Sequence, residues 1–545
     1  MAYQIETTCI CGDPETSKNH SFGAVSVPIY QTATFAHPGI GESTGHNYTR
    51  ESNPTRDELE KTVSALEGAV DTVACTSGMA AISLMMELFD SGSHFVCTED
   101  LYGGSVRIFE TLEKKRGFSF SYINTADVEA VEKAITDQTK ALYIETPSNP
   151  TMQVTDLAEM SRLATKHGLL LIVDNTFLSP YLQNPIAQGA DLVVHSGTKF
   201  LGGHNDTLAG FLCTPIKALA EQIRYLFKTI GSGLSPFDSF LVLRGIKTLS
   251  VRVERQQENA MKIASWLKEQ KKVTDVYYVG LPEHPGYEIN QKQSRGAGSM
   301  ISFRTDTEET ARKVLERVKL ISYAESLGGV ESLITYPMLQ THGDVPVEIR
   351  ERLGITETFL RLSVGIENVD DLIPDLVQAG IDSFKIEGRM KTALYVADVA
   401  RTYRQAIDDY FDSPELYAAN LDHYRDEISK CTYRQFTTGF FYGPTTHESQ
   451  IYDNNTYVKK YTYLGLAGSS DEQGFVKMEQ RNKFAVGDQV EIMKPSGENV
   501  LVTVEKMKDE DGRFIENCPH PKQKIHVLFS QKPDELDLIR VREEQ

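Results

Sequence analysis

The stretch VVHSGTKFLGGHND, residues 193–206, decides how the chain is read. Val193 and Val194 close a short apolar run that reads as a buried strand. Lys199 follows, set among small residues and glycines. A solvated surface lysine needs no such setting, and a packed core would exclude an ammonium. In open α/β sheets, functional groups gather at the carboxyl ends of strands. Lys199 stands where such a group would stand.

Working outward, the same rhythm recurs. TRDELEKTVSALEG reads as a helix closed by Gly68, VDTVACTS as a strand and GMAAISLMMELFDSG as a helix entered through glycine. SHFVCTED, KALYIETPSNP, LLLIVDNTF and ADLVVHSG are further apolar strands, with helices such as TDLAEMSRLATKHG between them. Near-continuous apolar strands separated by helices predict a parallel sheet covered on both faces. One long helix is expected over SFLVLRGIKTLSVRVERQQENAMKIASWLKEQ, then a smaller α+β region to about residue 378. Residues 1–60, rich in Thr, Ser, Gly and Pro, read as an extended arm.

The chain has 545 residues, enough for two to four domains. The formal charge of −20 argues against general binding to nucleic acid or anionic membranes. No apolar run is long enough to span a membrane, and the acidic N-terminus lacks the features of a signal peptide, so a cytoplasmic protein is expected. Seven scattered cysteines imply no disulfide framework. Cys9 and Cys11 lack further ligands nearby, so no metal site is expected.

The strand ends carry one chemistry between them. Asp174 ends LIVD, where a buried carboxylate needs a cation. Ser77, Gly78 and Met79 open a helix, where free N–H groups and the helix dipole suit a phosphate. Ser196 and Thr198 add hydroxyls beside Lys199, and Tyr102 offers an aromatic face in DLYGGS. An amine for an aldehyde, an acid for a ring nitrogen and a phosphate cradle together suggest pyridoxal 5′-phosphate (PLP).

These motifs, with YTRESNPTR, AESLGGVESL and RLSVGIE, resemble the Cys/Met-metabolism group of PLP enzymes over residues 3–378. The resemblance implies an α/β PLP-dependent transferase fold (aspartate aminotransferase fold type I) with a smaller α+β domain. It implies that Lys199 bonds the cofactor and shuttles protons, that Asp174 pairs with the ring nitrogen and that Tyr102 stacks on the ring. Gly78, Met79, Ser196 and Thr198 would bind the phosphate, with Tyr48 and Arg50 reaching it from a neighbouring subunit. Arg361 would clamp the substrate carboxylate, and Asn149 and Ser326 would lie near the cofactor oxygen and the substrate, Asn149 binding both. A homotetramer, a dimer of dimers sharing active sites and acting on small amino acids, is expected.

Which reaction follows is less determined. GESTGHNYTR, LSPFDSF and ESLITYPMLQTHGDVPVEIR resemble bacterial cystathionine γ-synthases that use O-acyl-homoserine, and Glu331 falls where γ-synthases and γ-lyases place an acid near the distal ammonium of cystathionine. GAVSVPIYQTATF fits β-lyases equally well. Gly104 stands where methionine γ-lyases carry cysteine. The expectation is γ-replacement on O-acyl-homoserine by cysteine, with sulfide as a further acceptor, and cystathionine β-lyase as the alternative.

The composition changes after about residue 379. Eleven of 24 tyrosines lie between Tyr395 and Tyr463. TALYVADVARTYRQAIDDYF reads as a helix with Tyr395, Val399, Ala406 and Tyr410 near one buried face, and SPELYAANLDHYRDEISK as a second helix capped by Ser413. Short strands with turns at Pro495-Ser496-Gly497 and Asp511-Gly512 then predict a small all-β barrel or sandwich. SFKIEGRMK, FTTGFFYG and NKFAVGDQVEIMKPSGENV resemble the C-terminal part of the collagenase-like peptidase family, without its cysteine-bearing catalytic signature. The expected division is an arm (1–60), a large PLP domain (61–250), a small domain (251–378), a helical segment (379–430) and a barrel-like domain (431–545). From Ala379 on there are 28 acidic and 22 basic residues, which does not suggest a general RNA-binding face. A reading of another class remains: a fusion whose tail is a peptidase-family or RNA-related binding module.

Overall fold

The computed structural model describes residues 3–12, 23–343, 345, 347–381, 393–431, 460–495, 499–520 and 522–543. SFKIEGRMK, FTTGFFYG and the turn at Ser496-Gly497 therefore lie outside the described residues. The chain divides into two compact units, 1–383 and 384–545.

The first unit is built on seven strands: β1 (Asp71–Cys75), β2 (His94–Thr98), β3 (Ser119–Ile123), β4 (Thr139–Glu145), β5 (Leu170–Asp174), β6 (Leu192–Ser196) and β7 (Gly210–Thr214). Their order is β1-β7-β6-β5-β4-β2-β3. The strands from β2 to β6 pair in parallel, but β7 runs antiparallel to both β6 and β1. The sheet is thus mixed rather than parallel. The cause is the connection after β6: residues 197–209 contain no crossover helix, so the chain returns in the opposite direction. That connection carries Lys199. Val193 and Val194 point into separate apolar cores on opposite faces of the sheet, which is why the strand is apolar throughout.

The helix Pro54–Glu67 begins where the Asn53 side chain accepts the Thr55 N–H, a cap worth about 1 kcal/mol, and ends at left-handed Gly68. The arm is not wholly extended. Residues Ile5–Cys11 form a helix that buries Cys9. The expected long helix is two, Pro236–Ile246 and Leu249–Lys268. Arg252 stabilises the break, donating to Gly245 O (2.8 Å) and to Thr248 Oγ1 (3.1 Å).

A second sheet holds β8 (Val273–Tyr277), β9 (Met300–Thr305), β10 (Ser322–Tyr323), β11 (Leu333–Thr335) and β12 (Phe359–Ser363), in the order β10-β11-β12-β9-β8. The helix Val369–Ala379 closes this unit. It buries Val369, Leu372, Leu376 and Ala379, and its Asp375 carboxylate accepts the N–H groups of Lys319, Leu320 and Ile321 at 2.9–3.1 Å.

The second unit opens with helices Ala393–Asp412, Pro414–Ala419 and Leu421–Ile428. The expected second helix is therefore interrupted at Asn420, although Ser413 does cap its start. Among the described residues seven antiparallel strands follow: β13 (Tyr461–Leu466), β14 (Val476–Glu479), β15 (Gln489–Met493), β16 (Asn499–Lys508), β17 (Phe514–Ile515), β18 (Lys524–Phe529) and β19 (Leu538–Arg542). The order is β13-β19-β15-β16-β18-β14, with β17 on β16. Arg481 N–H donates to Leu464 O (2.7 Å), linking the two ends in a barrel-like all-β domain.

The buried face of helix Ala393–Asp412 differs from the expected one. Leu394, Asp398, Val399 and Thr402 are buried, while Tyr410 is exposed. The apolar pattern misleads because a charge occupies the inner face. Asp398 meets Arg540 of β19 (3.4 Å), and that fully buried guanidinium also binds Glu491 (2.6 Å).

Candidate active site

The ends of β4, β5 and β6, the start of helix Gly78–Met86, and Arg361 of β12 surround an inner cavity of about 330 Å³. Gly78, Met79, Tyr102, Asn149, Asp174, Ser196, Thr198, Lys199, Ser326 and Arg361, all expected at the site, line it.

Lys199 Nζ donates to Ser326 Oγ (2.7 Å). Burial, then the charge of Arg361, lowers its pKa to about 8, with Glu325 opposing. A substantial neutral fraction is therefore available as a nucleophile near that pH. Asp174 is 8% exposed. Its Oδ1 accepts the Thr176 hydroxyl (2.6 Å) and N–H (3.1 Å), and Thr176 Oγ1 accepts the Ser196 N–H (2.9 Å). Burial raises the Asp174 pKa; the Thr176 hydrogen bonds and His195 act against the shift. Behind the sheet, Glu67 Oε1 holds both His195 (2.6 Å) and Asn175 (3.1 Å), fastening the two strand ends.

Arg361 is fully enclosed, yet among the described residues it meets only neutral acceptors: Asn149 Oδ1 at 2.7 Å and Ser326 O at 3.1 Å. Its Nε has no partner among the described residues. Burial lowers its pKa to about 10, with Glu145, Tyr102 and Glu325 opposing. Such a guanidinium is arranged to receive a carboxylate. Ser326 has φ +91°, a strained conformation for a non-glycine residue, which turns its hydroxyl to Lys199 and its carbonyl to Arg361.

These residues fit PLP. A Cβ on Gly78 would lie 3.0 Å from Ser196 Cβ, so glycine keeps the helix start open to a phosphate, where Gly78 and Met79 N–H groups would hold it. The Thr198 hydroxyl is engaged with Ala209. Asp174 has the position and burial to pair with a protonated ring nitrogen. Tyr102 is 39% exposed and stands at the start of helix Gly103–Arg116.

Three expected residues lie elsewhere. Tyr48 and Arg50 line an outer cavity of about 1310 Å³, where the Arg50 guanidinium lies over the Tyr48 ring and donates to Lys228 O. Glu331 also lines the outer cavity and accepts from Asn205 Nδ2 (2.8 Å). Glu325, which the sequence reading passed over, lines both cavities. Glu145 and Thr176 were missed as well. Each sat inside a motif already singled out, and only its position beside a strand end could have marked it.

Over residues 6–380 the sequence matches the Cys/Met metabolism PLP-dependent enzyme family. Residues 342–451 match peptidase family U32 and residues 459–540 the U32 C-terminal domain, and the first of these overlaps the PLP-enzyme match over residues 342–380. A cystathionine β-lyase of Lactococcus lactis subsp. cremoris (strain MG1363) is 46% identical over 375 residues, 69% of this chain and 98% of that protein. A cystathionine γ-lyase of Bacillus subtilis (strain 168) is 48% identical over 370 residues, 68% and 96% of the two chains. The crystal structure of cystathionine γ-synthase from Xanthomonas oryzae pv. oryzae in complex with cystathionine has a TM-score of 0.68 at 39% identity, covering 70% of this chain and 98% of that one. Relatives of three different activities share the same frame, and on that frame the chain belongs to the Cys/Met metabolism family of PLP-dependent enzymes, acting on sulfur amino acids.

Proposed function

We propose that the protein is a cystathionine γ-synthase, joining cysteine to the γ-carbon of an O-acyl-homoserine, with sulfide as a second acceptor that would give homocysteine. The observation that carries this reading is Glu325. Its carboxylate lines the inner cavity and also faces the outer one, beside Lys199 and Arg361. A substrate carboxylate on Arg361 would leave the far ammonium of cystathionine within the field of this acid. Glu331, which accepts from Asn205 Nδ2 and lines the outer cavity with Glu325, keeps its expected place near that ammonium, and Glu325 joins it.

Bound PLP supplies an electron sink for the deprotonated substrate. Asp174 would hold a positive charge at the ring nitrogen, Tyr102 would cover the ring, and Gly78, Met79, Ser196 and Thr198 would hold the phosphate, the Thr198 hydroxyl turning to it from the Ala209 carbonyl. Lys199 moves protons at Cα and Cβ, the two positions γ-replacement requires. Asn149 and Ser326 orient Arg361. A side chain on Gly104 would meet the Tyr102 ring at 2.4 Å, which disfavours the cysteine of methionine γ-lyases here. Tyr48 and Arg50 complete a second subunit's site in a cytoplasmic homotetramer. The chain's divisions are the arm, the large and small PLP domains, the helical segment and the barrel-like domain.

Product analysis tests the reaction. O-acetyl- or O-succinyl-homoserine with cysteine should give cystathionine. Faster release of pyruvate and homocysteine from cystathionine alone would assign β-elimination instead.

Arg361→Lys should raise KM for the amino-acid substrate by about 10–100-fold, the scale of a lost bidentate contact, with little effect on the visible spectrum. An unchanged KM would move the carboxylate clamp elsewhere.

The tail adds no second catalytic site in this reading. Its Cys431 and Cys518 thiols are buried and donate to the Ile428 and Phe484 carbonyls. Truncation near residue 380 should retain PLP binding and γ-replacement, with at most a lowered melting temperature. The isolated tail should show neither proteolysis nor salt-sensitive RNA binding. Loss of PLP chemistry in a folded truncated protein, or proteolysis by the tail, would reverse this assignment.

A further inference from the structure

Glu145 is the last residue of β4 and the register partner of Asp174 on β5. Its carboxylate lines the inner cavity. Its Oε2 accepts the N–H of Tyr102 (3.0 Å), and its own N–H donates to Thr98 Oγ1 (3.2 Å). One residue thus joins the end of β4 to β2 and to the residue before helix Gly103–Arg116. Two carboxylates at adjacent strand ends, out of water, do not both ionise without a cation for each. Asp174 receives two hydrogen bonds from Thr176, which favour its charged form, while Glu145 receives one. Arg361 uses its hydrogen-bonding prongs on Asn149 and Ser326, and no ion pair joins it to Glu145 among the described residues.

We propose that Glu145 is a positioning residue that works in its neutral form: it anchors the backbone of Tyr102 and leaves Asp174 as the ionised acid of the pair. The proposal rests on the reading of the inner cavity as the PLP site. The groups around Glu145 are Asp174 of β5, Asp100 after β2, Tyr102 and Tyr143, Arg361 of β12, and Lys199 and Glu325 on the same cavity wall. Burial, then the charge of Asp174, pushes the Glu145 carboxyl well above the usual range; the Tyr102 N–H and Arg361 oppose this. A neutral acid beside Asp174 adds no competing charge against a protonated ring nitrogen, so the stacking tyrosine is held at no electrostatic cost to its neighbour.

The test is PLP affinity of the full-length apoprotein, measured by equilibrium titration without amino-acid substrate. Glu145→Gln keeps an oxygen acceptor for the Tyr102 N–H and copies the neutral acid. Its Kd for PLP should stay within about threefold of wild type at every pH from about 6 to about 8.5, where an ordinary glutamate is fully ionised. Glu145→Ala leaves the partly buried Tyr102 N–H without its acceptor and should bind PLP at least about tenfold more weakly. A departure of Glu145→Gln beyond threefold at any pH would show that the charge matters and overturn the neutral-acid assignment. An alanine variant with wild-type affinity would overturn the positioning role. If the alanine variant fails to fold by circular dichroism, the pH series of the glutamine variant still decides. A wild-type apoprotein that does not bind PLP would refute the cofactor assignment itself, a different failure from either of these.

Discussion

Lys199→Ala should lose turnover by about four orders of magnitude, the upper range for a missing proton-transfer group, because it removes the covalent anchor of the cofactor as well. The surroundings of Lys199 support the proposal that it performs both tasks. Its amine is held by Ser326, and burial brings its pKa to about 8, so that it can both attack an aldehyde and return protons. Borohydride reduction followed by peptide mass spectrometry should find PLP fixed on the Lys199 peptide in wild type and on no peptide in the variant. Retained activity, or label on another lysine, would displace Lys199 from the centre of the site.

Asp174→Asn is expected to bind PLP within about tenfold of wild type and to lose about 10²–10³-fold in kcat, the range for removing one preorganised electrostatic contact. The amide can still accept the Thr176 hydroxyl and N–H, so the local hydrogen-bond frame survives. What it lacks is the negative charge that keeps a pyridine nitrogen protonated. The loss should therefore fall on kcat rather than on KM. Near-wild-type kcat would place the ring nitrogen's partner elsewhere.

Much of this arrangement was legible in the sequence, for reasons that can be traced. The helix Pro54–Glu67 and its Gly68 terminus follow from local chemistry alone. Lys199, Asp174 and Gly78 stand out because polar or unusually small residues end otherwise apolar runs. The misses share a cause: they depend on contacts between distant segments. Nothing in VVHSGTKFLGGHNDTLAGFLCT gives strand direction, so antiparallel β7 was invisible. The helix break near Gly245 is made by Arg252 reaching back over a turn. Asp398 sits on an inner face because Arg540, 142 residues later, meets it there. Glu331 and Glu325 are both loop acids by pattern, and only the cavity wall separates them.

The helix Val369–Ala379 has a consequence for how such a two-part chain can exist. Asp375 satisfies the three amides at Lys319–Ile321 from within the same unit, and Lys272 Nζ donates to the Gly380 carbonyl (3.0 Å). The groups at this helix end are thus satisfied by partners from the same unit. A helix end held this way keeps its place whatever sequence follows, provided the seam falls after Gly380 and not within residues 342–380, where the two family matches overlap and where Arg361 and this helix both lie.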